Sequence, residues 1–340
     1  MELESINEIQ PEAWDEAISE FECRSFYHRS CWLKFLEEIQ VAKPLRFKII
    51  DDGKVEGYFV GLLIKKGLLK ILGSPLSKWE TESMGPVCND NLDVEGFLDA
   101  LDRMCKKLKI HHIEIGNPIL VPEIMKTRGY NCLEWKSYVI PLSHDSEKMW
   151  KNLKSKCRNR IRKGLKNGLF VENCENKNFL EEHYKQLEDV YSKQGRIPRL
   201  SIDMYRSLFR HLKSDNLLFT LQVKHGDRVI ASGIFQHDER SVYSLSTASY
   251  KKYQKLFPNE LLIWKIMRLS AELGIKNFSI GDNYRTIEDS GRFKDKFNGF
   301  PVTIHRYYKN YTILAKVGRE VYKTVFYGKQ KIKDKLRLVN

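Results

Sequence analysis

The sequence has no cysteine pair of the C-x-x-C kind, no H-E-x-x-H motif and no apolar run long enough to cross a bilayer. Each absence removes a class of protein. The seven cysteines (Cys23, Cys31, Cys88, Cys105, Cys132, Cys157, Cys174) are odd in number and scattered, so neither a disulfide framework nor a zinc site is expected. Scattered thiols suit a reducing, cytoplasmic compartment, and no metal is expected. Among the nine histidines, His111 and His112 are neighbours at the start of a predicted strand. Their side chains then point to opposite faces, and structural roles are expected of both. The most apolar segment, YFVGLLIKKGLLKILG, is cut by Lys65, Lys66 and Lys70, whereas a spanning helix needs about 20 apolar residues. The opening MELESINEIQPEAW is acidic and lacks the apolar core of a signal peptide. A soluble, globular protein is expected, and 340 residues suit two domains rather than one core.

Acidic residues are also scarce in two places. Residues 147–168 hold nine basic side chains and one acidic, and residues 306–340 hold ten and two. The formal charge of +14 therefore sits in two segments, and the rest is near neutral. Such segments point to polyanionic partners: RNA, anionic lipid or a phosphate-bearing substrate. Solvated helix faces are the alternative. The stretch SKCRNRIRKGLKNG, 155–168, has six basic residues and no aromatic one among them. That counts against a stacking platform for single strands. Trp150, Leu153, Cys157, Ile161 and Leu165 are spaced 3, 4, 4 and 4, which predicts one apolar stripe on a docked helix with a cationic outer surface.

Two blocks of similar length repeat one order of elements. Residues 47–114 read strand, D-G hairpin at Asp51–Lys54, strand, strand, amphipathic helix, strand. Residues 219–279 read the same way, with a turn at His225-Gly226-Asp227 and a helix over Pro258–Leu273 closed by Gly274. We read an internal duplication of an α/β unit with mixed sheets.

The tandem β-β-β-α-β unit and its joining helix (Lys156, Arg158, Ile161, Arg162, Lys163, Lys166, Gly168) resemble the Fem-like, or FemAB-type, family. Three stretches add to the resemblance: FLEEHYKQLEDVYSKQGRIPRLSIDMYRSLF, SLSTASYKKYQKLFPNELLIWKIMRLSAELGIKNFSIGD, and an F-K-x-x-F-G element carried by Phe293, Lys294, Phe297 and Gly299 with Asn298 inserted. The resemblance covers about residues 25–310. It implies two tandem GNAT-like acyltransferase domains, 1–145 and 146–310, followed by a basic helix over 311–340. The helical-hairpin arm of some Fem members is absent. The glycine-rich loop of acetyl-CoA-dependent GNAT enzymes is replaced by YQKLFPNELL.

The resemblance implies N-acyl transfer from acyl-CoA or aminoacyl-tRNA, the donor co-substrate, to an amine of a cell-envelope or polysaccharide precursor such as one of peptidoglycan. Amine acylation needs donor and amine held together, an oxyanion stabilised and a proton removed. Lys294 is the first candidate for the acyl-transfer centre, as the family's lysine in this element is. Asp282, ending the KNFSIGD strand, could orient the amine or take its proton, or cap a turn. The helix start near Pro258, with Asn259 in its first turn and Lys251, Lys252 and Lys255 before it, could hold donor phosphate. A surface lysine cluster is the equal alternative. Arg158, Arg162, Arg196, Arg199 and Tyr284 are candidates for gripping substrate, and Arg285 is a weaker one. The basic C-terminal helix, with Val317, Val321, Val325, Ile332 and Leu336, packs on the second domain or lies on the inner face of a membrane. The competing reading of the whole chain is a non-catalytic basic module for RNA or an anionic membrane.

Overall fold

Apolar and polar residues alternate along Leu45–Ile49, and the alternation fixes which face of that strand is buried. The computed structural model describes residues 1–340 apart from 177, 193, 194, 214, 283–292 and 322–340. The chain forms two compact units, residues 1–134 with 304–340, and residues 135–303.

Unit 1 begins with β1 (Glu2–Ser5), α1 (Pro11–Ser19) and α2 (Ser30–Gln40). The repeated block follows: β2 (Lys43–Asp51), β3 (Lys54–Lys66), β4 (Leu69–Ser74), β5 (Gly85–Cys88), α3 (Val94–Lys107) and β6 (His112–Ile115), then α4 (Pro122–Thr127). Leu45, Phe47 and Ile49 point into the core. The β2–β3 turn places Asp52 (φ 45) and Gly53 (φ 74) in the left-handed region, as a two-residue hairpin requires. β2, β3 and β4 pair antiparallel, and β4 runs parallel to β6. β1 adds to the β2 edge, and β5 pairs with β3. α3 buries Phe97, Leu98, Leu101 and Met104. The closing strand of this sheet comes from the far end of the chain: within Phe300–Asn310, residues 307–310 pair antiparallel with β6. Tyr307 is fully buried there and donates to the Leu120 carbonyl at 2.8 Å.

Unit 2 contains β7 (Asn131–Pro141) from Trp135 onward, α5 (Ser146–Asn152), α6 (Ser155–Lys166), β8 (Leu169–Asn173), α7 (Phe179–Ser192) and α8 (Ile202–Leu212). The second copy follows: β9 (Leu218–His225), β10 (Arg228–His237), β11 (Ser241–Ser249), α9 (Pro258–Glu272) and β12 (Asn277–Asp282). The pairings repeat those of unit 1: antiparallel β9–β10–β11, then parallel β11–β12. β8 covers the β9 edge and β7 pairs antiparallel with β12. Gly274 (φ 82) closes α9 as its position predicted.

The sequence predicts boundaries at 145/146 and 310/311, whereas the compact units divide at 134/135 and 303/304. Strand pairing is the reason. Residues 137–141 belong to the β12 ladder, and residues 307–310 to the β6 ladder.

The expected single stripe on the linking helix also changes. Two helices form, broken at Leu153, whose φ −61 and ψ 141 are extended. Leu153, Cys157, Ile161 and Gly164 face the core, and Leu165 is 53% exposed. Gly164 substitutes for Leu165 because α6 passes close to the chain: a Cβ there would lie 3.3 Å from the Leu256 carbonyl oxygen.

Candidate functional site

The site is built from unit 2 alone. Its β11–β12 ladder runs from Ser241–Asn277 to Tyr243–Ser279. β11 then bulges against β10 at Leu245, between Ser244 and Ser246. β12 shifts register against β7 between Ser279 and Asp282, and Gly281 takes a φ of 89°. Two neighbouring strands therefore break step at one level. Lys294 sits in that break. It is 8% exposed, its Nζ donates to the Gly281 carbonyl at 2.6 Å, and it lies 5.6 Å from the Tyr138 ring centroid. The flanking Phe293 and Phe297 rings pack into the core, 5.4 Å apart. Asn298, the inserted residue, takes the left-handed turn (φ 59) that brings Gly299 against Ile140. The Asp282 backbone ends β12; its side chain, with all of Tyr284 and Arg285, lies outside the described residues.

The stretch YQKLFPNELL forms a 3-10 turn over Lys251–Leu256, then α9. Phe257 (φ 64) occupies the N-cap of α9, and no side chain caps that end. Asn259 is half-buried, and its Oδ1 is buried with no hydrogen-bond partner. Lys252 and Lys255 are exposed, Lys252 against the Tyr253 ring. Lys252 also lines a cleft of about 1010 Å³ with Tyr250, Tyr253, Lys224, Arg228 and Glu182. Lys294 and Asn259 are not among the residues lining it.

Glu260, in the first turn of α9, is 5% exposed and was not singled out from the sequence. Arg160 meets it at 2.7 Å and Lys296 at 3.2 Å. A carboxylate at a helix start is favoured by the backbone dipole, and these two cations balance its burial. The clue in the sequence was one acid beside the apolar run LLIW. Nothing local showed that its partner stood 100 residues earlier.

The expected substrate-gripping arginines part company. Arg158 is turned inward, donating to the carbonyls of Lys151 and Leu153 and closing the break between α5 and α6. Arg162 lies 5.4 Å from the Trp150 ring, at the surface. Arg196 and Arg199 are exposed in the α7–α8 loop. With Arg158 and Arg160 engaged inside the unit, two of the six cations on 155–168 are spent on the fold, which weakens the RNA-platform reading.

A buried polar network went unforeseen. His183 bonds Ser232 Oγ and Ser246 Oγ, each at 2.8 Å. Ser232 donates to Gln186 at 2.7 Å, and the Tyr205 hydroxyl reaches Ser246 at 3.0 Å. Burial lowers the His183 pKa to about 3 and keeps the ring neutral. Its trace in the sequence is a His and a Gln on the apolar face of α7. In unit 1, Cys132, Glu134 and His305 bring three ligand-type atoms within 4.8 Å, with Cys132 and Glu134 exposed.

Comparison with known proteins follows this geometry. Residues 151–294 match the family model described as "Acetyltransferase (GNAT) domain". No curated protein matches the chain. Among solved structures, FemX is similar at TM-score 0.71 and 14% identity, over 87% of this chain and 96% of that one. The C-terminal domain of a protein from Agrobacterium fabrum described as a lysylphosphatidylglycerol synthetase matches at TM-score 0.56 and 13% identity, over 93% and 98%. A tandem GNAT protein from the clavulanic acid biosynthesis pathway matches at 0.52 and 8%, over 91% and 98%. Residues 151–294 thus match a GNAT acetyltransferase domain, and the fold is similar to that of FemX and of a tandem GNAT protein. In fold the architecture is Fem-like.

Proposed function

We propose that unit 2 transfers an acyl or aminoacyl group from acyl-CoA or aminoacyl-tRNA to an amine of a cell-envelope or polysaccharide precursor. The observation that carries this reading is Lys294, a buried cation set in the paired strand break beside Gly281. A buried cation facing a developing oxyanion acts in low dielectric, where it is worth more than in water. In the reaction the amine attacks the donor carbonyl carbon. The C–N bond forms, the C–S or C–O bond breaks, the amine loses a proton and the leaving group gains one. In this reading Lys294 stabilises the oxyanion and Asp282 takes the amine proton. The uncapped start of α9, with Asn259 behind Lys252 and Lys255, receives donor phosphate. A lysyl group in the described activity of one structural relative supports the aminoacyl option.

The test incubates the full chain with acyl-CoA species and charged tRNA, using amino-sugar and peptidoglycan-precursor acceptors. We expect transfer from one donor class, with Lys294→Ala lowering kcat/KM by about 10² to 10³. No transfer from any donor, or a Lys294→Ala protein as active as the parent, refutes the proposal.

A further inference from the structure

Unit 1 exposes aliphatic side chains on two adjacent elements. Leu68, at the tip of the β3–β4 hairpin, is 86% exposed, and Lys65 and Lys66 beside it are exposed too. Residues 313–321 are helical and present Ile313 (82%), Leu314 (52%), Val317 (54%) and Val321 (55%) to solvent. Positions 313, 317 and 321 recur every four residues with 314 beside them, so the four share one face.

The opposite face of this helix is fastened. Ala315 is buried. Arg319 reaches Glu114 at 3.1 Å, and its guanidinium stands 3.6 Å from the Tyr308 ring centroid. Glu114 is 5% exposed and also accepts from the Ser77 amide and hydroxyl, at 2.7 and 2.8 Å. A residue pointing along 319 is about 120–160° around the helix from 313 and 317. The anchor therefore turns the apolar face outward. At Gly318 an added Cβ would lie 3.3 Å from Leu69, so helix and hairpin tip stand side by side. Residues 313–321, the described helical part of the basic C-terminal segment, thus pack on unit 1; Val325, Ile332 and Leu336 lie outside the described residues.

We infer that this face docks unit 1 on an anionic lipid bilayer, with Leu68, Ile313, Leu314 and Val317 entering the acyl boundary and lysines meeting the headgroups. Charge decides between occupants. Lys65, Lys66 and Lys316 rim the patch and outnumber the exposed Glu320, which stands about 20° from Ile313 around the helix. A second copy of this surface would meet like charge, and protein interfaces are depleted in lysine. An anionic membrane attracts each basic residue near its surface, on top of the burial of the aliphatic groups. Among the described residues no helix is long and apolar enough to cross a membrane, so contact is peripheral. This inference does not depend on the donor or acceptor proposed for unit 2.

The experiment co-sediments the full chain with phosphatidylcholine vesicles and with vesicles of equal parts phosphatidylcholine and phosphatidylglycerol. The comparison protein carries Leu68→Ser, Ile313→Ser and Val317→Ser, all at exposed positions where folding is spared; its thermal melt verifies that. The parent should partition onto the anionic vesicles, much less onto neutral ones, and the triple variant should lose roughly tenfold or more. Equal binding to both vesicles overturns the inference, as does undiminished binding by the variant. A parent that ignores vesicles but forms dimers the variant cannot form overturns it in favour of a second copy.

Discussion

The two copies share strand order and pairing, yet their helix starts are opposites. In unit 1, Asp93 caps α3, accepting from the Gly96 amide at 3.1 Å, with Glu95 in the first turn. That helix end is already occupied by carboxylates and repels phosphate. In unit 2, α9 starts without a side-chain cap, behind three lysines. The ladders differ too. β4 and β6 stay paired from Ile71 to Ser74, and the Gly116 amide continues to Ser74 at 2.9 Å. β11 and β12 part register after three pairs. The family match over 151–294 falls in the copy with the open helix end. One strand order thus occurs twice, once with a capped helix start and once with an uncapped one.

The sharpest way to break this contrast is Glu260→Gln. Arg160 and Lys296 would lose their shared carboxylate, and stability to urea should fall by about 3 kcal/mol; a change under a third of that would make the trio ornamental. Acid comes next. Burial pushes the Glu114 carboxyl up, but hydrogen bonds from His112 and Ser77 and the Arg319 charge outweigh it and hold it at about 2, against 4.5. A carboxyl held low in the folded state stabilises above its unfolded pKa. Roughly 3 kcal/mol should therefore drain from unit 1 as pH falls from 4.5 towards 2, and Glu114→Gln should flatten that part of the curve. His183, held neutral at about 3 by burial, loses its contribution earlier, as pH falls below 6.5. His28, at about 4, does the same in unit 1. A calorimetric pH series on the parent, Glu114→Gln and His183→Gln separates these windows.

Smaller effects sharpen the helix-start comparison. Lys252→Ala with Lys255→Ala should raise donor KM roughly tenfold with kcat little changed, the loss of two exposed charges on phosphate; an unchanged KM would move the donor elsewhere. Asp93→Ala should cost about 1 kcal/mol of stability and leave transfer rates alone. If it altered KM for the donor, unit 1 would share the site and the contrast would dissolve.

Local chemistry made much of this legible. The D-G turn, the apolar faces of α3 and α9, Gly274 and the repeated order of elements are all set by neighbours within a few positions. Lys294 became a candidate through the F-K-x-x-F-G resemblance, and its bond to the Gly281 carbonyl was not legible locally. What escaped depends on distant partners: Arg160 with Glu260, His183 with Ser232 and Ser246, Arg319 with Glu114. The break at Leu153 escaped because its apolar side chain keeps the helical spacing while its backbone leaves the helix.

The closing strand of unit 1 has a consequence for how the chain is born. The strands β7 to β12 are made by residue 282, and the core they cover by Phe297. The first sheet waits for residues 307–310, and its core waits for Tyr307. The half made first is finished last, so during synthesis β6 stands as an unpaired edge in need of protection.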